Sequence, residues 1–251
     1  MEAGLRTYDK YAPYPEEMNR EFIGRVADLH FAPTVQAGLQ LAAENRIANV
    51  HVTGNTVIDS LQWTIQEKFN HPLLAKLDKS RKWIFMTMHR RENWGNPMKE
   101  VFEAAARVAA ERQDVEFIYP VHPNPEIVKL AEQVLGGKAR IHLTQPLDVV
   151  ATHNFMARCH FVITDSGGIQ EEAPSLGKPV LVLRDKTERP EGVEAGTLRC
   201  IGTQTERVYR EMVILLDDRE AYRIMSEASN PFGDGYASEH IAQIILDFFD
   251  L

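Results

Sequence analysis

The stretch Thr164-Asp165-Ser166-Gly167-Gly168-Ile169-Gln170-Glu171-Glu172-Ala173-Pro174 decides how the chain is read. The apolar run before it, His160-Phe161-Val162-Ile163, has the character of a buried strand. Residues 170–176 read as a helix closed by Gly177 and Pro179. Strand, tight glycine turn and helix start form the arrangement by which α/β proteins expose backbone N–H groups to a phosphate. Ser166 adds a hydroxyl donor, and Gly167 and Gly168 let an anion come close to the backbone. Glu171 and Glu172 follow one turn on. Carboxylates there suit the helix dipole, and an acid so placed also holds ribose hydroxyls in nucleotide folds.

Outward from this stretch, apolar runs alternate with amphipathic segments. Trp83-Ile84-Phe85-Met86-Thr87-Met88 reads as a strand. Residues 97–112 read as a helix, with Val101, Ala104, Ala105 and Val108 at helical spacing and Pro97 suited to the first turn. Strands follow over 115–121 and 140–143, and helices over 125–135 and 148–157. After the Ser166 turn and its helix come a strand at 180–183 and a helix at 207–216. This alternation predicts a parallel sheet covered by helices on both faces. Ligands of such sheets sit at the carboxyl ends of the strands. Three polar clusters fall there: His89-Arg90-Arg91-Glu92, His122-Pro123-Asn124 and the Ser166 turn. Residues 1–57 fit the repeat less cleanly, with a helix predicted over 16–29 and a strand over 50–53.

Composition narrows the partners. A formal net charge of −8 argues against a general nucleic-acid binder, which needs a basic face. The two cysteines, Cys159 and Cys200, lack metal-ligand spacing and point to a reducing, cytoplasmic setting. The nine histidines include no pair spaced as metal ligands. No run approaches the ~18 apolar residues of a membrane span, and Glu2 and Arg6 interrupt any apolar opening stretch.

Seven motifs in this order resemble one family. They are Met1-Glu2-Ala3-Gly4-Leu5-Arg6-Thr7, Pro15-Glu16-Glu17-Met18-Asn19-Arg20, Thr53-Gly54-Asn55-Thr56-Val57-Ile58-Asp59, His89-Arg90-Arg91-Glu92, Tyr119-Pro120-Val121-His122, the segment 165–178, and Thr187-Glu188-Arg189-Pro190-Glu191. The chain resembles the non-hydrolysing UDP-N-acetylglucosamine 2-epimerases along essentially its whole length. The resemblance implies two Rossmann-like domains of the glycosyltransferase B type, the first incomplete. Residues 1–57 are then a remnant of the N-terminal domain and 58–236 the UDP-binding domain. Residues 237–251 are a helix crossing back to the first domain. The implied reaction interconverts UDP-N-acetylglucosamine and UDP-N-acetylmannosamine through 2-acetamidoglucal and UDP, in the cytoplasm and for surface-polysaccharide precursors. It implies no metal or other cofactor, UDP and the UDP-sugar as ligands, and neither nucleic acid nor membrane as a partner. A homodimer is expected, its interface largely outside this chain.

The resemblance also assigns roles. Glu2 and Glu16 match acids near the sugar and are the base candidates, a task that asks for burial or a like charge nearby. Read alone, Glu16 is a first-turn acid that favours the helix dipole. His89 matches a catalytic or phosphate-side residue, since an imidazolium offsets charge on a departing diphosphate. Read alone, it is a strand-end histidine on a solvated loop. Arg90 and Arg91 are alternatives for that task. Ser166, Gly167 and Gly168 match the diphosphate cradle, Glu172 the acid on the ribose hydroxyls, and Arg189 an arginine facing the nucleotide. Without the resemblance, Arg189 reads as a surface ion pair with Glu188 or Glu191. His122 matches a residue either near the sugar or in a regulatory site, and as a bare sequence it only enters a turn.

Departures from the family pattern accompany these matches. A Gly-Thr-Arg-Pro-Glu loop and a Gly-Asp-Thr turn of the family have no counterpart here. Thr152 stands where the family carries a bulky side chain near the uracil. A UDP-binding module without turnover is therefore the alternative reading. A hydrolysing relative and a B-type glycosyltransferase are further ones.

Overall fold

The computed structural model describes residues 2–11 and 14–250. Two compact units divide the chain: Met1–Trp63 with Asn230–Leu251, and Thr64–Ser229.

The first unit contains α1 (Glu16–Val26), β1 (His30–Ala32), α2 (Val35–Ala43), β2 (Val50–Val52) and α3 (Thr56–Thr64), the last residue of which opens the second unit. β1 and β2 run parallel, with His30 opposite Val50. Thr34 caps α2 by accepting a hydrogen bond from the Ala37 amide. The loop before α1 is tied down by Glu17, whose fully buried carboxylate accepts the Thr7 and Tyr8 amides at 3.0 and 2.8 Å. Gly4 has φ +83°, and a Cβ there would stand 1.9 Å from the Ala37 carbonyl oxygen. Only glycine satisfies both demands.

The second unit contains β3 (Lys82–Thr87), α4 (Asn96–Glu111), β4 (Val115–Pro120), α5 (Pro125–Leu135), β5 (Ile141–Thr144), α6 (Val149–Arg158), β6 (Phe161–Thr164), α7 (Gly167–Ser175), β7 (Val180–Val182), α8 (Pro190–Glu194), β8 (Leu198–Cys200), α9 (Thr205–Asp217) and α10 (Arg219–Ser226). Its six strands are all parallel, in the order β5-β4-β3-β6-β7-β8. That is the doubly wound order, which reverses between β3 and β6 and opens a crevice there. Side chains alternate across the sheet. Ile84 and Met86 join Val101, Phe102 and Ala105 of α4 and Val208 and Met212 of α9 in one buried cluster. Trp83 and Phe85 join Phe155 and Met156 of α6 and Ala173 of α7 in the other. Burial on both faces explains why the strands read as continuous apolar runs.

The predicted elements of this unit are present with shifts of one to three residues, and one shift matters. The sequence reading starts the helix at 170, after a glycine turn. α7 instead begins at Gly167 with Ser166 as N-cap, so both glycines lie inside the first turn. β1, β8 and α8 escape the sequence reading because three to five residues carry too little periodicity, and the short helices α2, α3 and α10 are absent from it as well.

The last helix, α11 (Ala237–Phe248), belongs to the first unit. Asp59 of α3 caps it, accepting the Ala237 and Ser238 amides at 3.0 and 2.6 Å. The Asn55 amide donates to the Phe232 carbonyl at 2.8 Å, and Gly54 and Gly233 approach so closely that a Cβ on Gly54 would meet the Gly233 Cα at 3.0 Å. These ties place the unit boundaries at 63/64 and 229/230, where the sequence reading divides the chain at 57/58 and 236/237. Among the described residues, no helix is long and apolar enough to cross a membrane.

Candidate functional site

The crevice of the second unit is built at the ends of β3 and β6, where Thr87 and Thr164 are register partners with hydroxyl oxygens 2.6 Å apart. The chain then leaves both strands toward the same place. Thr164 Oγ1 accepts the Ser166 amide at 2.9 Å and fixes the start of α7. Ser166 makes no capping bond with its own side chain, which leaves the hydroxyl available. The first N–H groups of α7 have no partner within the helix and carry its positive dipole end.

Two guanidinium groups flank this helix start. A Cβ built on Gly167 would lie 3.5 Å from a terminal nitrogen of Arg90 and 3.5 Å from one of Arg189. Without a side chain at Gly167, the backbone amides of the helix start face two cations. Arg189 is held from behind by Glu171, a pair only 11% and 4% exposed in its side chains. Its amide donates to Thr187 Oγ1 at 3.1 Å, and that hydroxyl donates to Gln170. This corrects the surface-pair reading of Arg189: its close partner is the buried Glu171, because α7 turns that carboxylate under the loop. Glu188 is a second partner at 3.5 Å. The same Glu188 carboxylate lies 3.6 Å from Arg90 and 3.3 Å from Arg184. Arg184 also pairs with Glu92 at 2.9 Å and lines a cavity of about 500 Å³ with Asn93, Leu183 and Lys186.

His89 stands beside this cradle and is not a free loop residue. The fully buried Asp165 accepts the His89 amide at 3.1 Å on both oxygens, the Arg90 amide at 2.9 Å and the Asn93 side-chain amide at 2.9 Å. His89 Nδ1 lies 3.5 Å from Asp165 Oδ1. The His122 ring faces the His89 ring, with centroids 6.3 Å apart and planes at 20°. Beneath them Tyr119 donates to the Met88 carbonyl at 3.3 Å. Burial, and secondarily the Asp165 charge, push the Tyr119 phenol well above its usual range, so it stays a donor.

Glu172 sits one turn along α7, its carboxylate 3.7 Å from where a Gly168 Cβ would be. Its other oxygen lies 3.4 Å from Nε2 of the buried His153, whose Nδ1 is 2.7 Å from the Thr64 hydroxyl.

The structure thus gathers His89, Arg90, His122, Ser166, Gly167, Gly168, Glu172 and Arg189 around one crevice. Glu2 and Glu16 belong to the first unit. Glu2 is exposed and pairs with Arg20 at 3.3 Å. It lines a cavity of about 70 Å³ with Arg6 and His30. Glu16 is exposed on the first turn of α1, and the burial that the sequence reading looks for there belongs to its neighbour Glu17. The inward-facing position of that turn is Glu17's, taken up by the loop amides. Asp165, Asn93, His153 and Arg184 have no role in the sequence reading, and Glu188 enters it only as an ion-pair partner of Arg189. Asp165 and Glu188 lie inside quoted motifs, whereas nothing around His153 marks it. Among the described residues, no group of three or more His, Cys, Asp or Glu side chains is placed to hold a metal ion.

The all-parallel sheet with its order reversing between β3 and β6 is a Rossmann-like α/β fold, and the solved structures it resembles are of the glycosyltransferase B type. The family model described as UDP-N-acetylglucosamine 2-epimerase matches residues 1–246. The Bacillus subtilis UDP-N-acetylglucosamine 2-epimerase is 53% identical over 98% of this chain, which spans 65% of that relative's length. The S. aureus MnaA–UDP structure superposes with a TM-score of 0.95 at 51% identity, covering 100% of this chain and 69% of that one. The Neisseria meningitidis UDP-GlcNAc 2-epimerase, solved with UDP-GlcNAc, gives 0.88 at 39% identity over 98% of this chain and 69% of its own. The chain belongs to the UDP-N-acetylglucosamine 2-epimerase family.

Proposed function

We propose that the protein interconverts UDP-N-acetylglucosamine and UDP-N-acetylmannosamine. The observation that carries this reading is the glycine start of α7 at Gly167, with the guanidinium groups of Arg90 and Arg189 beside it. The relatives solved with UDP and with UDP-GlcNAc support the ligand class. In this reading the diphosphate lies on Ser166, Gly167 and Gly168, with Glu172 on the ribose. A base removes the C2 proton, the C1–oxygen bond breaks, and its electron pair leaves with UDP. The C1=C2 bond of 2-acetamidoglucal results. UDP then adds back at C1 while C2 takes a proton on the opposite face, with no net redox change. His89 and the two arginines carry the charge that develops on the leaving diphosphate. Glu2 and Glu16 are the candidates for proton transfer at C2, and His122 approaches the sugar side of His89. A cytoplasmic setting, a homodimer and a product used for surface polysaccharide belong to the same reading.

The test is proton NMR of UDP-N-acetylglucosamine with the purified protein in deuterated buffer. Loss of the C2 proton signal and growth of the manno product are expected. Line broadening by bound UDP without exchange overturns turnover by this chain and leaves a UDP-binding module.

A further inference from the structure

We infer that Asp165 is a positioning residue that fixes His89 as the Nδ1–H tautomer, leaving Nε2 to face the leaving diphosphate. The inference rests on the epimerase reading for what His89 faces. Its own support is the geometry around a carboxylate with no exposure. Burying a charge costs several kcal/mol unless it is compensated. The loop donors alone do not need that charge, because a neutral amide oxygen also accepts from backbone N–H groups. The two oxygens divide the work unequally. Oδ2 takes the Arg90 amide and the Asn93 side chain, each at 2.9 Å, and shares the His89 amide. Oδ1 has only its share of the His89 amide at 3.1 Å and points at Nδ1, 3.5 Å away. The Arg90 side chain has its ion pair with Glu188 and meets Asp165 only through its backbone amide. The imidazole is therefore the partner for the charge.

A neutral imidazole donates from one nitrogen and accepts at the other. With Nδ1–H directed at Oδ1, Nε2 is the atom free to exchange a proton or meet an anion. It has no hydrogen-bond partner among the described residues, and the side chain is 42% exposed. A contact of 3.5 Å is long for a hydrogen bond, and such pairs tighten when a ligand binds.

The experiment is ¹⁵N-histidine NMR of the unmodified protein above neutral pH, with the His89 signals identified by their loss in His89→Gln. The expected result is a protonated Nδ1 and an unprotonated Nε2, and an Nε2 signal that moves when UDP is added. An Nε2–H tautomer in the unmodified protein overturns the inference, whatever any variant does. Asp165→Asn supplies the second arm: loss of the tautomer preference in a folded variant supports the inference, and its retention overturns it. A role confined to holding the loop amides leaves the tautomer unmoved. Failure of UDP to bind at all, with the Nδ1–H tautomer intact, overturns the epimerase reading and keeps the positioning role.

Discussion

Glu188→Gln is expected to tighten UDP binding. The Glu188 carboxylate lies 3.6 Å from Arg90 and 3.5 Å from Arg189, the two cations that flank Gly167. In the unliganded protein it occupies part of their charge, and an incoming diphosphate must displace that attraction. Bare Coulomb energy for a pair near 4 Å at an effective dielectric of 20 is about 4 kcal/mol. The pairs are part-exposed, at 24% for Glu188 and 28% for Arg90, so solvent reduces each contact to roughly 0.5 kcal/mol. Two such contacts amount to about 1 kcal/mol, or a dissociation constant lowered about fivefold. Arg184 keeps its 2.9 Å pair with Glu92, so the loop is not left without an anchor. Titration calorimetry with UDP on both proteins measures the difference, and added salt shrinks it. Unchanged or weaker binding by a folded variant refutes the argument, because Glu188 then orients the arginines instead of competing for them.

Gly167→Ala puts a methyl group into the cradle. UDP affinity should fall at least about tenfold while the melting temperature holds or rises slightly, since alanine favours a helix by roughly 0.5–1 kcal/mol. Gly4→Ala should do the opposite, costing about 3 kcal/mol from positive φ and the clash with Ala37, read as a loss of stability in the first unit by hydrogen exchange. His160 is stacked on Tyr222 with ring centroids 4.2 Å apart, and burial, chiefly, lowers its pKa to about 4. The unfolded chain therefore binds the extra proton first. His160 contributes nothing to the pH dependence above about 6.5, and stability is lost as pH falls from there toward 4. After allowance for partial exposure the loss is of order 1 kcal/mol. Urea midpoints against pH for the protein and for His160→Phe should diverge in that window, and parallel curves contradict the assignment.

The sheet of the second unit was legible because strands buried on both faces leave long apolar runs, and helices such as α4 carry a clean apolar stripe. The turn into α7 was legible for a related reason: Ser166, Gly167 and Gly168 are contiguous, and a helix start announces itself through its glycines. Side-chain pairings across the fold were not. His153 meets Glu172 from a different helix, and Arg189 finds its close partner in the buried Glu171 because α7 turns that carboxylate inward. Glu16 and Glu17 differ by one position on a helix, about 100° of rotation, which sequence spacing at a helix start does not resolve. The reach of Asp165 across 76 residues to His89 depends on β3 and β6 being neighbours, a fact of topology rather than of local pattern.

The cap that Asp59 provides to α11 links residues 178 and 179 positions apart. Synthesis runs from the amino end, so this fastening imposes an order on folding. Residues 64–229 are contiguous and have all their strands once that stretch has left the ribosome. The first part of the other unit, before residue 64, emerges earlier but lacks its partners until residues 230–248 are made. Asp59, nearly buried in the finished protein, and the glycine seam at Gly54 wait throughout for their partners. Contacts of such separation are the slow ones to form. Nascent chains stalled before residue 237 should therefore carry a protease-resistant second unit and a still-susceptible first one.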